Sequence, residues 1–475
     1  MRGVQAGMLD QRPATESKAS LAPRDEDGGI DAAFIERIGA AIEANDAVAL
    51  RSLAGELHEA DTGDVIEALD PDLRPRFVEL MGGEFDFTAL TEVDDAVRED
   101  ILEELPPAVV AEGVRDLDSD DAAHIIEDLP HDEQTQILQQ LPQTERGAVE
   151  RILHYPENSA GRRMQTEFIA VSPGWNVGDA IDYMRETVDL PERFYELYVV
   201  DGDRKLMGAV ALDRLLRTKR PVPIPDLMDA DRHRVRATQD QEEVARMFER
   251  YNLVAAPVVD DGERLVGVLT FDDIVDVIEE EASEDIRALG GVSGREELSD
   301  SVWTVARGRL PWLIANLATA LLASWVIRQF EGSIAKMVAL AVLMPIVASM
   351  GGNAGTQTMT VAVRALATRD LGDANSWRVV RRELMVGVVN GVAFAVIMGG
   401  IAALWLGVTD LGLVIGLAML CVLVAAALGG IVIPLILVRL GVDPALASGP
   451  FVTTVTDVVG FFSFLGIATL WFGLS

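Results

Sequence analysis

The chain has 475 residues, enough for roughly two to four domains, and 49 % of them are hydrophobic. Of its 76 acidic and 40 basic residues only seven and eight lie beyond Leu310, which leaves 69 and 32 in the first 310 residues, a net of −37. An acidic front half of that size argues against nucleic acid, whose phosphates it repels, and for cations as partners; the single cysteine, Cys421, excludes an intrachain disulfide framework.

No apolar core follows the first charges, so no secretory signal peptide is expected. Residues 1–30 are polar and rich in Pro, Gly and charge, and are expected to form a disordered tail. From about Asp31 the pattern is helical, with Phe34, Ile38, Ala41 and Ile42 on one face. A repeat of twelve residues then runs through Leu57, Leu69, Met81, Val93, Leu105, Leu117, Leu129, Leu141 and Leu153. Prolines follow closely in Leu105-Pro106, Leu129-Pro130, Leu141-Pro142 and Asp70-Pro71. A proline after an apolar run ends one helix and can open the next. The spacing therefore predicts short helices stacked as a superhelix over 31–160, each burying its face on its neighbours. The acids of these helices read first as a solvated face; His124 beside Asp121 is a pairing such faces readily produce, and no zinc site is assigned to it.

Residues 164–283 hold a second repeat of mixed α and β character. Val199-Val200-Asp201 through Leu206-Met207-Gly208 matches Val258-Val259-Asp260 through Leu265-Val266-Gly267 at a constant offset of 59. Each copy reads as a strand, a tight turn, a second strand and a helix, with a further helix upstream over 177–184 and 243–248. This resembles a tandem CBS pair, assigned to 161–283. CBS pairs often bind adenine nucleotides through a Thr and an Asp near the end of the second strand. Thr270 and Asp273 occupy those positions in the second copy, but Ala211 and Arg214 occupy them in the first, so the resemblance implies at most one nucleotide site.

The helix leaving the second copy separates into two faces. Ile274, Val277 and Ile278 form an apolar stripe, while Asp273, Asp276, Glu280 and Glu284 recur three or four residues apart. Like charges at that spacing cost a helix roughly 0.2–0.5 kcal/mol per pair. A solvated connecting helix tolerates this; a divalent ion bridging the carboxylates relieves it. A connecting segment over 284–309, amphipathic from about Leu298, is expected to lead into the bilayer.

Five spans are expected, at 310–330, 337–350, 384–408, 411–438 and 444–474; four reach the roughly 20 apolar residues that cross hydrocarbon. The second is shorter, ending at a polar break and resuming near Met359. Arg307, Arg309, Arg364, Arg369, Arg378, Arg381, Arg382 and Arg439 fall on one side of these spans and Arg328 and Lys336 on the other. The positive-inside rule puts the acidic half in the cytoplasm and the C-terminus outside, in the inner membrane of the cell. Within the spans, Pro345 and the run Met350-Gly351-Gly352-Asn353-Ala354-Gly355-Thr356-Gln357 read either as broken backbone lining a wet cavity or as close helix packing through small residues. Asn353, Thr356 and Gln357 offer neutral oxygens to a hydrated cation. Asp457 is the one carboxylate well inside a span, where an acid costs about 2.5–3.5 kcal/mol and is by default a functional candidate; Thr453, Thr454 and Thr456 beside it either satisfy backbone groups or line water. Oxygen-only lining suits Mg2+, which keeps its waters, though Ca2+, Mn2+ and Na+ share that chemistry.

Several motifs make the resemblance specific. The run Tyr155-Pro156-Glu157-Asn158-Ser159-Ala160-Gly161-Arg162-Arg163-Met164 resembles the junction typical of MgtE-type magnesium transporters, as do Gly351-Gly352-Asn353, Arg364-Ala365-Leu366-Ala367-Thr368-Arg369-Asp370, Val442-Asp443-Pro444-Ala445-Leu446 and the Thr-rich approach to Asp457. The resemblance implies a multidomain membrane protein: an α-helical superhelix, an α/β CBS pair, a connecting helix acting as a plug, and an all-α transmembrane domain of five helices. It further implies a homodimer with its pore on the two-fold axis, Asp457 as the pore acid, and a Mg2+-sensing surface of Asp273, Asp276, Glu280, Glu281, Glu284 and Asp285 with Asp120 or Asp121 from the N domain. His124, Thr238 and Asn252 depart from acids expected in some relatives. Neither a Walker loop nor a phosphorylation motif is evident, so no ATP hydrolysis and no enzyme activity is expected. The expected function is Mg2+ uptake down its gradient, closed by internal Mg2+; the alternatives are a CBS-regulated transporter of another divalent cation or a membrane-anchored nucleotide sensor.

Overall fold

The computed structural model describes residues 23–25, 28–127, 129–188, 190–191, 193–292, 296, 301–369, 371 and 376–474. Most of the tail expected over 1–30, the start of the amphipathic segment at 298–300, and Asp370 lie outside these residues. The chain divides into two compact units, Met1–Ile278 and Glu279–Ser475.

The first unit opens with short helices, from Ala32–Glu43 to Gln143–Leu153. The backbone shows why they turn over every twelve residues. Leu69, Leu105 and Leu141 stand just past the last turn of their helices with extended backbone, at ψ 150°, 141° and 147°. Leu105 and Leu141 directly precede prolines, whose ring excludes the α region for the residue before it. Pro106 and Pro142 then precede the first turns of Pro107–Gly113 and Gln143–Leu153, where a missing N–H breaks no helical bond. The repeat positions face inward: six of the nine are buried, and Leu57, Leu117 and Leu153 pack partly buried against the same core.

Two three-stranded sheets follow, β1 (Ile169–Val171), β2 (Glu196–Val200), β3 (Leu206–Ala211) and β4 (Val235–Arg236), β5 (Ala255–Val259), β6 (Leu265–Thr270). In each sheet the first pair is parallel and the second antiparallel, with the register shifting at Val199/Val200 and again 59 residues on at Val258/Val259. The repeated turns are built alike. Asp201 Oδ1 accepts the N–H groups of Asp203 and Lys205, and Asp260 Oδ1 those of Gly262 and Arg264. The two copies also join through these turns: Leu206 N–H donates to the Glu263 carbonyl and Leu265 N–H to that of Arg204. The second copy shares one continuous core with the helical region, in which Val235, Val244, Phe248 and Ile274 join Ile101, Ile125 and Ile126.

The helix Phe271–Leu289 begins in the first unit and ends in the second. Five helices of the second unit are long and apolar enough to cross a membrane: Val302–Arg328, Ala339–Ala367, Ser376–Leu406, Thr409–Arg439 and Pro444–Phe472. Two expectations change here. The amphipathic segment before the first span is continuous with it, as one helix from Val302. The second span does not stop near Met350; Pro345 and the glycines lie inside an unbroken helix of 29 residues.

Candidate cation sites

The acids of the first unit converge. A cleft of about 1130 Å³ is lined by thirteen acidic residues and two arginines, Arg115 and Arg193, so its field is strongly negative. Asp120 and Asp121 reach it from the helix Ser119–Glu127, Asp273 and Asp276 from the start of Phe271–Leu289. Burial, then the carboxylates of Asp273, Asp121, Asp118 and Glu167, push Asp120 well above the ordinary carboxylate range; its Oδ1 is buried without a hydrogen-bond partner. Burial and Asp118 raise Asp121 to about 6, against the opposing pull of His124. Asp273 is raised to about 7 by burial, although the Thr270 side chain and backbone both donate to its Oδ2, at 2.6 and 3.1 Å. Glu92, raised by burial and by Asp276, is a further member that comes from the helical region.

Sequence reasoning missed Glu92, which reaches the cleft only through tertiary packing, and Asp118 and Asp272, which stand within two residues of Asp120 and Asp273. Among the described residues no three His, Cys, Asp or Glu side chains form a ready-made metal cage. Carboxylates of this kind are the ligands a hydrated Mg2+ takes, one or two at a time with several waters kept. His124 Nδ1 lies 2.9 Å from Glu127 Oε1, and Arg162 Nε donates to Glu127 Oε2 at 2.7 Å, a contact that ties the junction run to the same helix.

Thr270 and Asp273, the residues implied for a nucleotide, are bonded to each other. Beside them a second cavity of about 20 Å³ shares Gln165, Arg193, Tyr195 and Thr270 with the acidic cleft. It has room for about one water.

Farther along Phe271–Leu289, Glu280 and Glu284 are exposed and Glu281 and Asp285 half-buried; these four fall in the second unit. The last turn of that helix packs there: Ala288 is buried with Met359 and Val363 of the second span and Ala445 and Val452 of the fifth.

Those two spans meet through glycine. A Cβ at Gly351 would stand 2.6 Å from Val422 and 3.4 Å from Thr456, and one at Gly355 would stand 2.7 Å from Val452. Close packing by small residues, one of the two readings of this run, is thus what the glycines do. It has a second effect. With Gly351, Gly355 and Met359 buried, the opposite face turns Asn353, Thr356, Gln357 and Thr360 outward. On the fifth span Thr456 is fully buried against the glycines and the next residue, Asp457, is half-buried. The threonines satisfy backbone: Thr453 Oγ1 donates to the Gly449 and Pro450 carbonyls, Thr454 Oγ1 to that of Pro450, and Thr456 Oγ1 to that of Thr453.

Comparison with known proteins places this architecture. The profile of a family described as "Divalent cation transporter" (MgtE) matches residues 344–467, that of the "MgtE intracellular N domain" 57–158, and that of the CBS domain 160–220 and 224–280. The chain is 37 % identical over 325 residues to the magnesium transporter MgtE of Thermus thermophilus and 36 % identical over 325 residues to that of Enterococcus faecalis, spanning 68 % of this chain and 72 % of each relative. It is 35 % identical to that of Bacillus subtilis over 68 % of this chain and 71 % of the relative. Among solved structures it is similar to the soluble part of a magnesium transporter (26 % identity, TM-score 0.46, 53 % of this chain and 98 % of the other). It is also similar to the cytosolic domain of the Mg2+ channel MgtE in complex with ATP (28 % identity, TM-score 0.42, 51 % and 99 %). The chain belongs to the MgtE family of divalent cation transporters, whose members are multi-pass membrane proteins and not enzymes.

Proposed function

We propose that this protein is a Mg2+ channel that admits the ion down its electrochemical gradient and is closed by Mg2+ bound at its acidic half. The observation that carries the pore is the outward polar face of Asn353, Thr356 and Gln357, on a helix that packs directly against the one bearing Asp457. Polar oxygens on the outer surface of a span are unfavourable against lipid. They become favourable if a second copy of the chain covers them and encloses water. The pore then lies on the two-fold axis of a homodimer, with Asp457 presented twice to a hydrated ion. The arginines between the spans orient the acidic half toward the cytoplasm and the C-terminus outward in the cell membrane.

Closure follows from charge. Without Mg2+ the carboxylates of the cleft repel one another; bound ions bridge them and favour the compact arrangement, an effect limited to the difference in affinity between the two states. The helix Phe271–Leu289 supplies the link. It carries Asp273 and Asp276 at one end, Glu280, Glu281, Glu284 and Asp285 along its length, and packs on the second and fifth spans at the other. An adenine nucleotide at Thr270 and Asp273 is a finer reading of the same region. The cavity of about 20 Å³ beside Thr270 is too small for it, whereas Thr270 and Asp273 both line the acidic cleft.

Mg2+ uptake into proteoliposomes tests the pore. Asp457→Ala is expected to abolish uptake or reduce it at least about tenfold, with membrane insertion and dimer formation intact, because removing this intramembrane carboxylate removes the charge that holds the ion. Parent-like uptake by this variant rejects Asp457 as the pore acid.

A further inference from the structure

The helix Ser119–Glu127, which brings Asp120 and Asp121 to the cleft, starts at a contact between residues 48 apart in sequence. The Ser119 N–H, at the first helical position, has no intrahelical acceptor. It donates instead to Glu167 Oε2 at 3.2 Å, and Ser119 Oγ donates to the same oxygen at 2.8 Å. Thr166 completes the set: its N–H lies 3.0 Å from Glu167 Oε2 and 2.8 Å from Ser119 Oγ, and its Oγ1 lies 3.0 Å from Glu167 Oε1. One carboxylate from the segment leading into β1 thus closes the positive end of the helix, where a negative charge is favoured.

The same segment is fastened to the strand that leads to Asp273. Gln165 and Val268 exchange both backbone hydrogen bonds at 2.9 Å, and Val268 lies on β6 two residues before Thr270, which holds Asp273. Glu167 does not line the acidic cleft. Its charge nevertheless acts there, adding to the burial and to the carboxylates of Asp273, Asp121 and Asp118 that raise Asp120, whose Oδ1 is buried and unpartnered. A neutral cap would satisfy the Ser119 N–H without that repulsion. A charged one fixes the helix while adding to the field that a divalent cation relieves.

We propose that Glu167 is a positioning residue for shut-off by Mg2+: it holds Asp120 and Asp121 opposite Asp273 without touching the ion. This rests on the reading of the cleft as the Mg2+ sensor. Glu167→Gln leaves one acceptor oxygen where two are used and turns an NH2 group toward donors.

The test is uptake by the full-length protein in proteoliposomes as a function of Mg2+ on the cytoplasmic side. For Glu167→Gln the Mg2+ needed for half shut-off is expected to rise about three- to tenfold, the range of a lost charged cap, while uptake at low Mg2+ stays at the parent level. Ser119→Ala is expected to shift it less, and the double variant no further than Glu167→Gln alone, since both act at one contact. Asp121→Asn serves as the control on the sensor itself. If Asp121→Asn shifts the shut-off and Glu167→Gln does not, the positioning role is overturned and the sensor stands. If neither shifts it, the cleft is not the sensor and both readings fall. Loss of uptake at low Mg2+ in Glu167→Gln also overturns the proposal, since the cap then serves the fold as a whole.

Discussion

Asp273 is the side chain on which the most depends, because two partners compete for it. Thr270 donates twice to one of its oxygens, and the cleft offers the rest of the carboxylate to a cation or a proton. Burial raises it to about 7, raises Asp121 to about 6, and pushes Asp120 well above its ordinary value of 3.8. These are acids whose folded pKa exceeds the unfolded one, so the folded unit binds more protons than the unfolded chain. Their stabilising contribution is complete below about pH 4 and is lost as pH rises through about 6 for Asp121 and about 7 for Asp273. On the proposed reading Mg2+ displaces those protons when it binds. The Mg2+ needed for half shut-off is therefore expected to fall as cytoplasmic-side pH rises from about 6 to about 8. In Mg2+-free buffer the amides of Ser119–Glu127 should lose protection as pH rises from about 4 to about 7, after correction for intrinsic exchange. A shut-off point independent of pH contradicts the involvement of these carboxylates. Legibility at this scale was uneven. Asp273 and Asp276 announce themselves by their spacing on one helix face, whereas Glu92 and Glu167 come from positions 184 and 109 residues before Asp276 and carry no local signal.

Elements were legible where one local rule decides them. The twelve-residue period works because proline imposes an extended residue before it and an apolar residue fills the inward position left at each helix end. The offset of 59 works because the same turn chemistry recurs at Asp201 and Asp260. The second span shows where the rule changes. Pro345, Gly351 and Gly352 read as breakers in water, yet in a helix packed against its neighbours Gly351 is contact surface and the helix runs through. Gly351→Val places a side chain where a Cβ alone already meets Val422 at 2.6 Å, and is expected to cost about 1–3 kcal/mol in stability as overpacking. Thermal unfolding in detergent, with uptake measured alongside, reads this. Gly352→Ala, which points into open space, is expected to cost no more stability than a surface change. Equal stability of Gly351→Val and the parent contradicts the packing of the second span on the fourth and fifth.

On the proposed reading an acidic unit answers to ions and an apolar unit conducts them, and the helix Phe271–Leu289 begins in the first and ends in the second. Composition foretold the division, since 69 of the 76 acids precede residue 311. It did not foretell that the second CBS copy and the helical region share one core, because that depends on which faces meet rather than on which residues are present. In the function proposed, the conducting unit is closed by Mg2+ acting on the acidic one. The most direct measurement is Mg2+ uptake into proteoliposomes against cytoplasmic-side Mg2+, for the full chain and for one starting at residue 298, with NaCl at matched ionic strength to account for simple screening. The full chain is expected to conduct at low Mg2+ and to shut as Mg2+ rises to roughly millimolar, as suits weak, hydrated carboxylate sites, and not to shut with NaCl. The shortened chain is expected to conduct at every Mg2+ concentration. Normal Mg2+ shut-off in the shortened chain, or equal shut-off of the full chain by NaCl, contradicts the claim.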